Sequence, residues 1–143
     1  MFRKILVPID GSPDSFRGLR SAVGIAKKYD SEIALIHVVE RSLFFYADSG
    51  MTMIPPDAYD NLEEYAEKLP QKRKRELGEK GIRTETLLKR GDPADQILKA
   101  SKGFDLIVMG SRGLRRFQRL FLGSVSNSVV QQSRVPVLIV RPE

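Results

Sequence analysis

Five apolar runs of strand length alternate along this chain with stretches whose apolar residues recur every three or four positions. The runs are rich in β-branched residues, and an uninterrupted run of this kind is typical of a strand inside a parallel sheet. Alternation of strand and helix predicts right-handed crossovers that place helices on both faces of the sheet. The sequence therefore predicts an α/β fold with a doubly wound, five-stranded parallel sheet. The predicted strands are residues 5–9, 33–39, 83–88, 104–109 and 135–140.

Two of these runs have the features of edge strands. Residues 83–88 are mixed in polarity, which favours a strand with one side open to solvent. Pro136 stands inside the last run and cannot donate a hydrogen bond to a neighbouring strand. We therefore expect these two strands at the edges of the sheet.

The segment between the second and third strands has two unusual parts. Residues 41–56 contain many apolar side chains without a clean period, which predicts a long loop packed on its own apolar residues. A lid over a ligand or a contact with a partner is the alternative role for this loop. A long charged helix is predicted from Asp57 onward, and Pro70 is expected to kink or break it, since an interior proline costs roughly 3 kcal/mol.

Composition narrows the class of protein. At 143 residues, with 41% apolar and 29% charged residues, the chain has the size and balance of one globular domain. It has no cysteine and one histidine, which excludes disulfides, thiolate metal sites, a cysteine nucleophile and multi-histidine metal sites. No apolar run approaches the roughly 20 residues of a membrane span, and the chain opens directly into a strand without a signal peptide. We therefore expect a cytoplasmic protein with no membrane partner.

A glycine-punctuated stretch, residues 110–126, lies between a predicted strand and a predicted helix. It contains Gly110, Gly113 and Gly123, and Ser124 follows the last glycine directly. Glycine permits positive φ and lets a ligand approach the main chain closely. The start of a helix adds free N–H groups at the positive end of the helix dipole. The stretch therefore predicts an anion site, and phosphate is the commonest anion at such a site.

The spacing G-x2-G-x9-G-S differs from two familiar phosphate loops. No Gly-Lys-Ser/Thr follows at the Walker A distance, and the dinucleotide pattern GxGxxG is absent. Ser124 is the predicted N-cap of the helix, and a cap hydroxyl with its neighbouring N–H groups can also bind phosphate. The arginines of this stretch either donate to phosphate oxygens or form a solvated charged segment. They are Arg112, Arg115, Arg116 and Arg119.

Two further polar residues come at the ends of neighbouring strands. In sheets of this kind ligands bind at the carboxyl ends of the strands, where the strand order reverses. Asp10 follows the first strand, where it would accept from a ribose hydroxyl or an amino group, or else bond its own turn backbone. His37 has no carboxylate or serine partner at triad spacing, so we expect a core or strand-end histidine.

These segments, taken in order, resemble the universal stress protein family over nearly the whole chain. The glycine pattern is specific to this family. Each of the other matches is weak alone, and together they are strong because they occur in this order along the chain. The matching segments are residues 5–12, 37–38, 91–93, 108–113, 123–126 and 136–140.

The resemblance implies one nucleotide-binding domain over residues 1–143, of the Rossmann-like, adenine nucleotide alpha hydrolase-like type. It implies the ATP-binding branch of the family, because every glycine of the pattern and the following serine are present. Adenine and ribose would lie at the first two strands, ribose and phosphates along the glycine stretch, and the phosphate chain at the helix start, with Mg²⁺ or Mn²⁺. The implied ligand-binding residues are Pro8, Asp10, Val38, Gly110, Ser111, Arg112, Gly113, Leu114, Arg115, Arg116, Gly123, Ser124, Val125 and Ser126.

The last strand is the expected assembly surface. Residues 135–140 are apolar on both faces, and an apolar edge left open invites uncontrolled pairing. The resemblance implies a homodimer formed through this strand. The alternative is a monomer in which helices already cover both faces.

The predicted function is that of a regulatory stress-response protein that binds ATP, or AMP or ADP in its place, with little or no catalysis. The alternative is a slow ATPase or a phosphoryl or nucleotidyl transferase on the same fold, for which Asp10 is the one candidate base. The formal net charge of +6 also suits a nucleic-acid surface. However, no aromatic and basic platform or recognition-helix pattern supports specific nucleic-acid binding.

Overall fold

The computed structural model describes residues 1–40, 56–112 and 122–142, with the side chains of residues 56–62 left undescribed. The chain order in these ranges alternates strand and helix, as the sequence predicts. The elements are β1 (Lys4–Pro8), α1 (Pro13–Tyr29), β2 (Glu32–Val39), α2 (Pro56–Glu79), β3 (Thr84–Arg90), α3 (Pro93–Ala100), β4 (Leu106–Gly110), α4 (Ser124–Gln132) and β5 (Val137–Val140).

The strands form one parallel sheet in the order β3-β2-β1-β4-β5. Ile5 pairs with Ile33 of β2 on one side and with Leu106 of β4 on the other, so β1 lies at the centre. The chain builds outward from β1 to β3 and then returns to β4 beside β1. The predicted α/β fold with a five-stranded parallel sheet is confirmed, and the strand order reverses between β1 and β4.

Alternate side chains of each central strand pack into two separate cores. Ile5 and Val7 of β1 join the core that includes α1 and the buried leucines of α2. Leu6 points the other way, into the core that includes Ile97 of α3 and Val129 of α4. Helices therefore cover both faces of the sheet, which explains why β1 and β4 are apolar almost without interruption.

Both predicted edge strands lie at the edges, with one correction. β3 and β5 end the strand order, as their sequences indicate. Pro136 precedes β5 and does not lie within it. Its carbonyl accepts from the N–H of Ile107 at 2.9 Å. Pro136 thus accepts one hydrogen bond from β4 through its carbonyl. Because it lies before β5, its missing N–H removes no bond from the ladder.

Pro70 does not break the long helix. α2 runs from Pro56, one residue before the predicted start, to Glu79 through Pro70. Leu69 and Leu77 on either side are buried in the α1-side core, and Pro70 is itself fully buried. Burial contributes about 1.5–3 kcal/mol for each such leucine, which offsets the roughly 3 kcal/mol cost of the proline. The predicted loop, residues 41–56, lies outside the described residues except for Pro56.

Within the described ranges, none of the helices has the length and apolar content needed to cross a membrane.

Gly18 of α1 is held against the backbone of β4 and offers a test of this packing. A Cβ at Gly18 would lie 3.0 Å from the nitrogen of Gly110 and from the carbonyl carbon of Met109, whereas one at Gly24 of the same helix would meet nothing within 4 Å. We expect Gly18→Ala to lower the free energy of unfolding by about 1–3 kcal/mol, because backbone atoms must shift to make room. The control Gly24→Ala should raise it by about 0.4–1 kcal/mol. Urea denaturation measures both, and equal effects of the two variants would contradict the packing.

Candidate functional site

A cleft of about 420 Å³ opens at the carboxyl ends of β1, β2 and β4, where the strand order reverses. The beginnings of α1, α3 and α4 and the middle of α2 complete its walls. Nine of the residues predicted to bind a ligand border this cleft. They are Pro8, Asp10, Val38, Gly110, Arg112, Gly123, Ser124, Val125 and Ser126.

The other five predicted residues fall into two groups. Ser111 is buried just behind the cleft, where its N–H donates to the carbonyl of Val140 at 3.1 Å and its carbonyl accepts from Gly123 at 2.7 Å. It thus joins the end of β4 to the start of α4. Gly113, Leu114, Arg115 and Arg116 lie outside the described residues.

Asp10 serves the turn after β1 and also borders the cleft. Its Oδ1 accepts from the N–H of Ser12 at 2.9 Å, while its own N–H lies 3.4 Å from the hydroxyl of Ser15. The turn role considered for this residue is therefore present. The bond from Ser12 also holds the Asp10 carboxylate at the edge of the cleft, where it can meet a ligand.

His37 joins the ends of β1 and β2. Its Nδ1 lies 2.7 Å from the carbonyl oxygen of Ile9. A carbonyl can only accept, so Nδ1 carries the proton. The ring is buried, as expected for a strand-end histidine, and it also lines the cleft. Since Ile9 directly precedes Asp10, this bond helps to set where the carboxylate lies.

Gly110 is required by packing between elements. A Cβ at this position would lie 2.5 Å from the carbonyl oxygen of Asp14, in the first turn of α1. Its φ is not in the positive range, nor is that of Gly123, where φ is −62°. The glycine at the end of β4 thus allows α1 to approach the sheet, a reason that the spacing of the glycines did not indicate.

The start of α4 differs from the predicted cap. Gly123, and not Ser124, is the N-cap, and as a glycine it has no side chain with which to cap the first turn. Ser124 is the first helical residue and is exposed at the cleft, while the hydroxyl of Ser126 donates to the carbonyl of Gly110 at 2.9 Å. A glycine cap leaves N–H groups of the first turn unclaimed at the positive end of the dipole. No acidic side chain stands in that turn, so the cleft has a neutral site suited to an anion.

Arg112 borders the same end of the cleft and is held in place by Asp14. Its Nε donates to Oδ2 of Asp14 at 3.0 Å, and Arg17 bonds the other carboxylate oxygen. Asp14 is a residue that sequence reasoning missed as part of this arrangement. It lies 98 residues from Arg112 in the chain, and its sequence context indicated only the first turn of a helix.

The remaining walls of the cleft were also missed, and most of them are apolar. They come from strand ends and from the helices that cover the sheet. The apolar wall residues outside the predicted set are Ile9, Ile36, Val39, Ala66, Pro93, Ile97 and Met109. A weak signal existed for one of them, because Pro93 follows a Gly-Asp pair at the turn after β3. A flat apolar group would therefore find partners among these walls.

Tyr65 of α2 stands at the rim of the cleft. Half of the residue is exposed. A Cβ at Gly11 would lie 2.2 Å from its hydroxyl oxygen, and Gly11 has φ of +84°. Glycine is thus needed at the turn after β1 for its backbone conformation, whereas the tyrosine hydroxyl is the far end of a half-exposed side chain.

Metal ligation by the protein alone has little support in the described part of the chain. No group of three or more His, Cys, Asp or Glu side chains there could hold a metal ion. Asp10 and Glu40 are the carboxylates at the cleft.

Solved structures share this architecture. The hypothetical protein MJ0577 superposes with a TM-score of 0.86 at 28% identity, over 100% of this chain and 98% of that one. A universal stress protein in complex with cAMP gives 0.70 at 22% identity, over 99% and 98% of the two chains. A universal stress protein family protein from Arabidopsis thaliana with AMP bound gives 0.67 at 20% identity, over 98% and 91%. At 22% and 20% identity, the last two comparisons show a shared fold.

Sequence comparison identifies the family. The model of the universal stress protein family matches residues 1–141. The universal stress protein YxiE of Bacillus subtilis is 38% identical over 99% of this chain and 100% of its own length. The universal stress protein MJ0531 of Methanocaldococcus jannaschii is 34% identical over 99% of this chain and 83% of its own. On this likeness, and on the sheet order and cleft described above, the chain belongs to the universal stress protein family.

Proposed function

We propose that this chain binds an adenine nucleotide in the cleft between β1 and β4 and acts as a regulatory protein with little or no catalysis. The proposal rests above all on the glycine-capped start of α4, which opens into a cleft with apolar walls. A nucleotide has the matching pair of parts, a flat base and an anionic phosphate. With such a ligand, the cytoplasm is the expected compartment.

The cleft offers a place for each part of the nucleotide. The base would lie among the apolar walls, where Val38 offers its main chain at the end of β2 and Pro8 closes the end of β1. The ribose would lie near Asp10, whose carboxylate is held at the cleft edge by Ser12. The phosphates would meet the first turn of α4, where Ser124 is exposed.

The glycine stretch completes this proposed arrangement. Gly110 and Ser111 tie the end of β4 to the cap of α4, so the main chain there lies beside the phosphate position. Gly113, Leu114, Arg115 and Arg116 remain proposed contacts of ribose and phosphate. Support for the ligand class comes from fold neighbours, of which one is in complex with cAMP and another has AMP bound.

A divalent metal would enter with the phosphates. Mg²⁺ keeps several waters and is usually held by one or two carboxylates together with substrate phosphates, so it needs no cage of protein ligands. Asp10 and Glu40 are the carboxylates that border the cleft and fit this limited role. We therefore propose ATP with Mg²⁺ or Mn²⁺ as the full ligand, with AMP or ADP as the smaller alternatives.

We also propose a homodimer through β5. Within the part of the chain that the structure describes, this edge strand pairs on one side only, with β4. Val137 and Ile139 pack into the core on the α3 and α4 side, but Leu138 is 39% exposed, and Val130 of α4 is exposed as well. An apolar edge of this kind is covered if two copies meet about a two-fold axis.

Ligand binding is tested by thermal melts of protein shown to be free of nucleotide. We expect ATP, ADP and AMP to raise the melting temperature, since a ligand at 100 times its dissociation constant stabilises the folded state by roughly 2.7 kcal/mol. Melts with and without Mg²⁺ separate the contribution of the metal, and guanosine nucleotides serve as the control for the base. If millimolar adenine nucleotides leave the melting temperature unchanged, the proposed function is wrong.

The phosphate position is tested at the cap of α4. Gly123 has the extended conformation of an N-cap, with φ −62° and ψ 162°, so an aspartate fits there without strain. Gly123→Asp should cap the free N–H groups and raise stability by a few tenths of a kcal/mol, yet weaken ATP binding roughly tenfold or more, because its charge occupies the anion site. Gly123→Ala controls for bulk. If calorimetry shows that Gly123→Asp binds ATP with wild-type affinity, the phosphates do not bind at this cap.

The dimer is tested by charge at the exposed position of β5. Leu138→Lys should shift the chain from dimer to monomer in light scattering, and the fold should survive because this side chain is partly exposed. The matched control is Glu85→Lys on β3, an exposed position at the opposite edge of the sheet. Equal masses for the wild type and the Leu138 variant would argue against this interface.

A further inference from the structure

We infer that Asp14 is a positioning residue that holds Arg112 as a donor to the ligand's phosphate. The inference rests on the proposed nucleotide function and extends it to a residue outside the glycine stretch. It follows from three observations: the burial of the Asp14 carboxylate, the atom by which Arg112 reaches it, and the location of Arg112 at the cleft.

The Asp14 carboxylate is almost sealed from solvent. Its side chain is 2% exposed, and both oxygens accept from guanidinium groups, one from Arg17 and one from Arg112. A buried carboxylate requires such partners, because its desolvation costs several kcal/mol when unpaired. Asp14 also stands in the first turn of α1, where the helix dipole favours a negative charge. The carboxylate is thus a fixed point to which a neighbouring side chain can be tied.

Arg112 is tied to this point by the inner nitrogen of its guanidinium group. The bond to Oδ2 of Asp14 uses Nε, at 3.0 Å. Nη1 and Nη2 carry the other four donors of the group. Among the described residues, neither Nη atom has a hydrogen-bond partner, and neither belongs to the buried polar atoms without one, which are Ser31 Oγ and Arg73 Nε. Within this part of the chain, Nη1 and Nη2 therefore remain available to donate hydrogen bonds to a ligand.

The position of Arg112 directs these donors to the phosphate end of the cleft. The residue borders the cleft together with Gly123 and Ser124, and its neighbour Ser111 accepts from the N–H of Gly123 at 2.7 Å. The outer edge of a guanidinium group matches two phosphate oxygens in a bidentate arrangement. Arg112 therefore adds a charged donor beside the uncharged N–H groups of α4.

Asp14 improves this donor in spite of its negative charge. An arginine side chain that is ordered only on binding loses rotamer entropy at that step, and here the ordering precedes the ligand. The charge of Asp14 is matched by Arg17, so one carboxylate and two guanidinium groups leave one net positive charge at this end of the cleft. Arg17 does not border the cleft among the described residues, so its role is to balance charge.

The experiment compares adenosine with AMP, which differ by the phosphate, using calorimetry on the full chain. The measured quantity is the ratio of the two dissociation constants, adenosine over AMP. We expect Asp14→Asn and Arg112→Gln each to lower this ratio roughly tenfold, with the adenosine constant unchanged. In a double-mutant cycle the double variant should match Arg112→Gln alone, since Asp14 acts through Arg112. The control is Arg20→Gln, at an exposed arginine of the same helix, and it should leave the ratio unchanged.

Several outcomes would overturn the inference. One is a wild-type chain that binds AMP and adenosine equally well, which leaves the nucleotide site standing but removes the phosphate contact. Another is an Asp14→Asn variant that weakens both ligands by the same factor, or whose effect adds to that of Arg112→Gln. If Asp14→Asn does not fold, Arg112→Lys takes its place, and a wild-type ratio for that variant overturns the role of the guanidinium group. A wild-type chain that binds neither ligand contradicts the proposed function itself.

Discussion

The close contact between the first turns of α1 and the end of β4 is the constraint on which the rest of the cleft depends. A Cβ at Gly110 would lie 2.5 Å from the carbonyl oxygen of Asp14, and one at Gly18 would lie 3.0 Å from the backbone of β4. Two glycines facing each other thus let a helix and a strand pack backbone to backbone. This approach places the start of α1 beside the residues that follow β4, and so joins the two halves of the sheet at the point where the strand order reverses.

Charge is arranged around the same contact. The buried Asp14 is supported by two arginines, one next to it in α1 and one beyond the end of β4. Asp10, which also borders the cleft, is held by the turn after β1, and His37 joins that turn to β2. Most of the other walls are apolar, so the cleft as a whole suits a ligand with a flat apolar part and an anionic part.

Several errors of sequence reasoning share one cause. Pro70 was expected to kink or break α2, but the helix continues because leucines on both sides are buried. Ser124 was expected to cap α4, but Gly123 holds the cap position and has no side chain with which to cap the first turn. For Gly110, where ligand approach was the expected reason, the packing of Asp14 is a further reason that the spacing did not indicate. The local rules are physically sound, but contacts with residues distant in the chain changed the outcome or added a second reason for the residue.

The sequence by itself determined the order of strands and helices, the parallel sheet, its two edges and the strand ends at which the cleft lies. These follow from the period of apolar residues and from the positions of Gly and Pro, which are local properties. Only the tertiary structure decided which polar groups meet, as with Asp14 and Arg112, 98 residues apart, or Ser126 and Gly110. It also supplied the apolar walls of the cleft from α2 and α3. The physical reason is that hydrogen bonds and close packing depend on distances of a few ångströms between remote segments, and no pattern within one segment contains those distances.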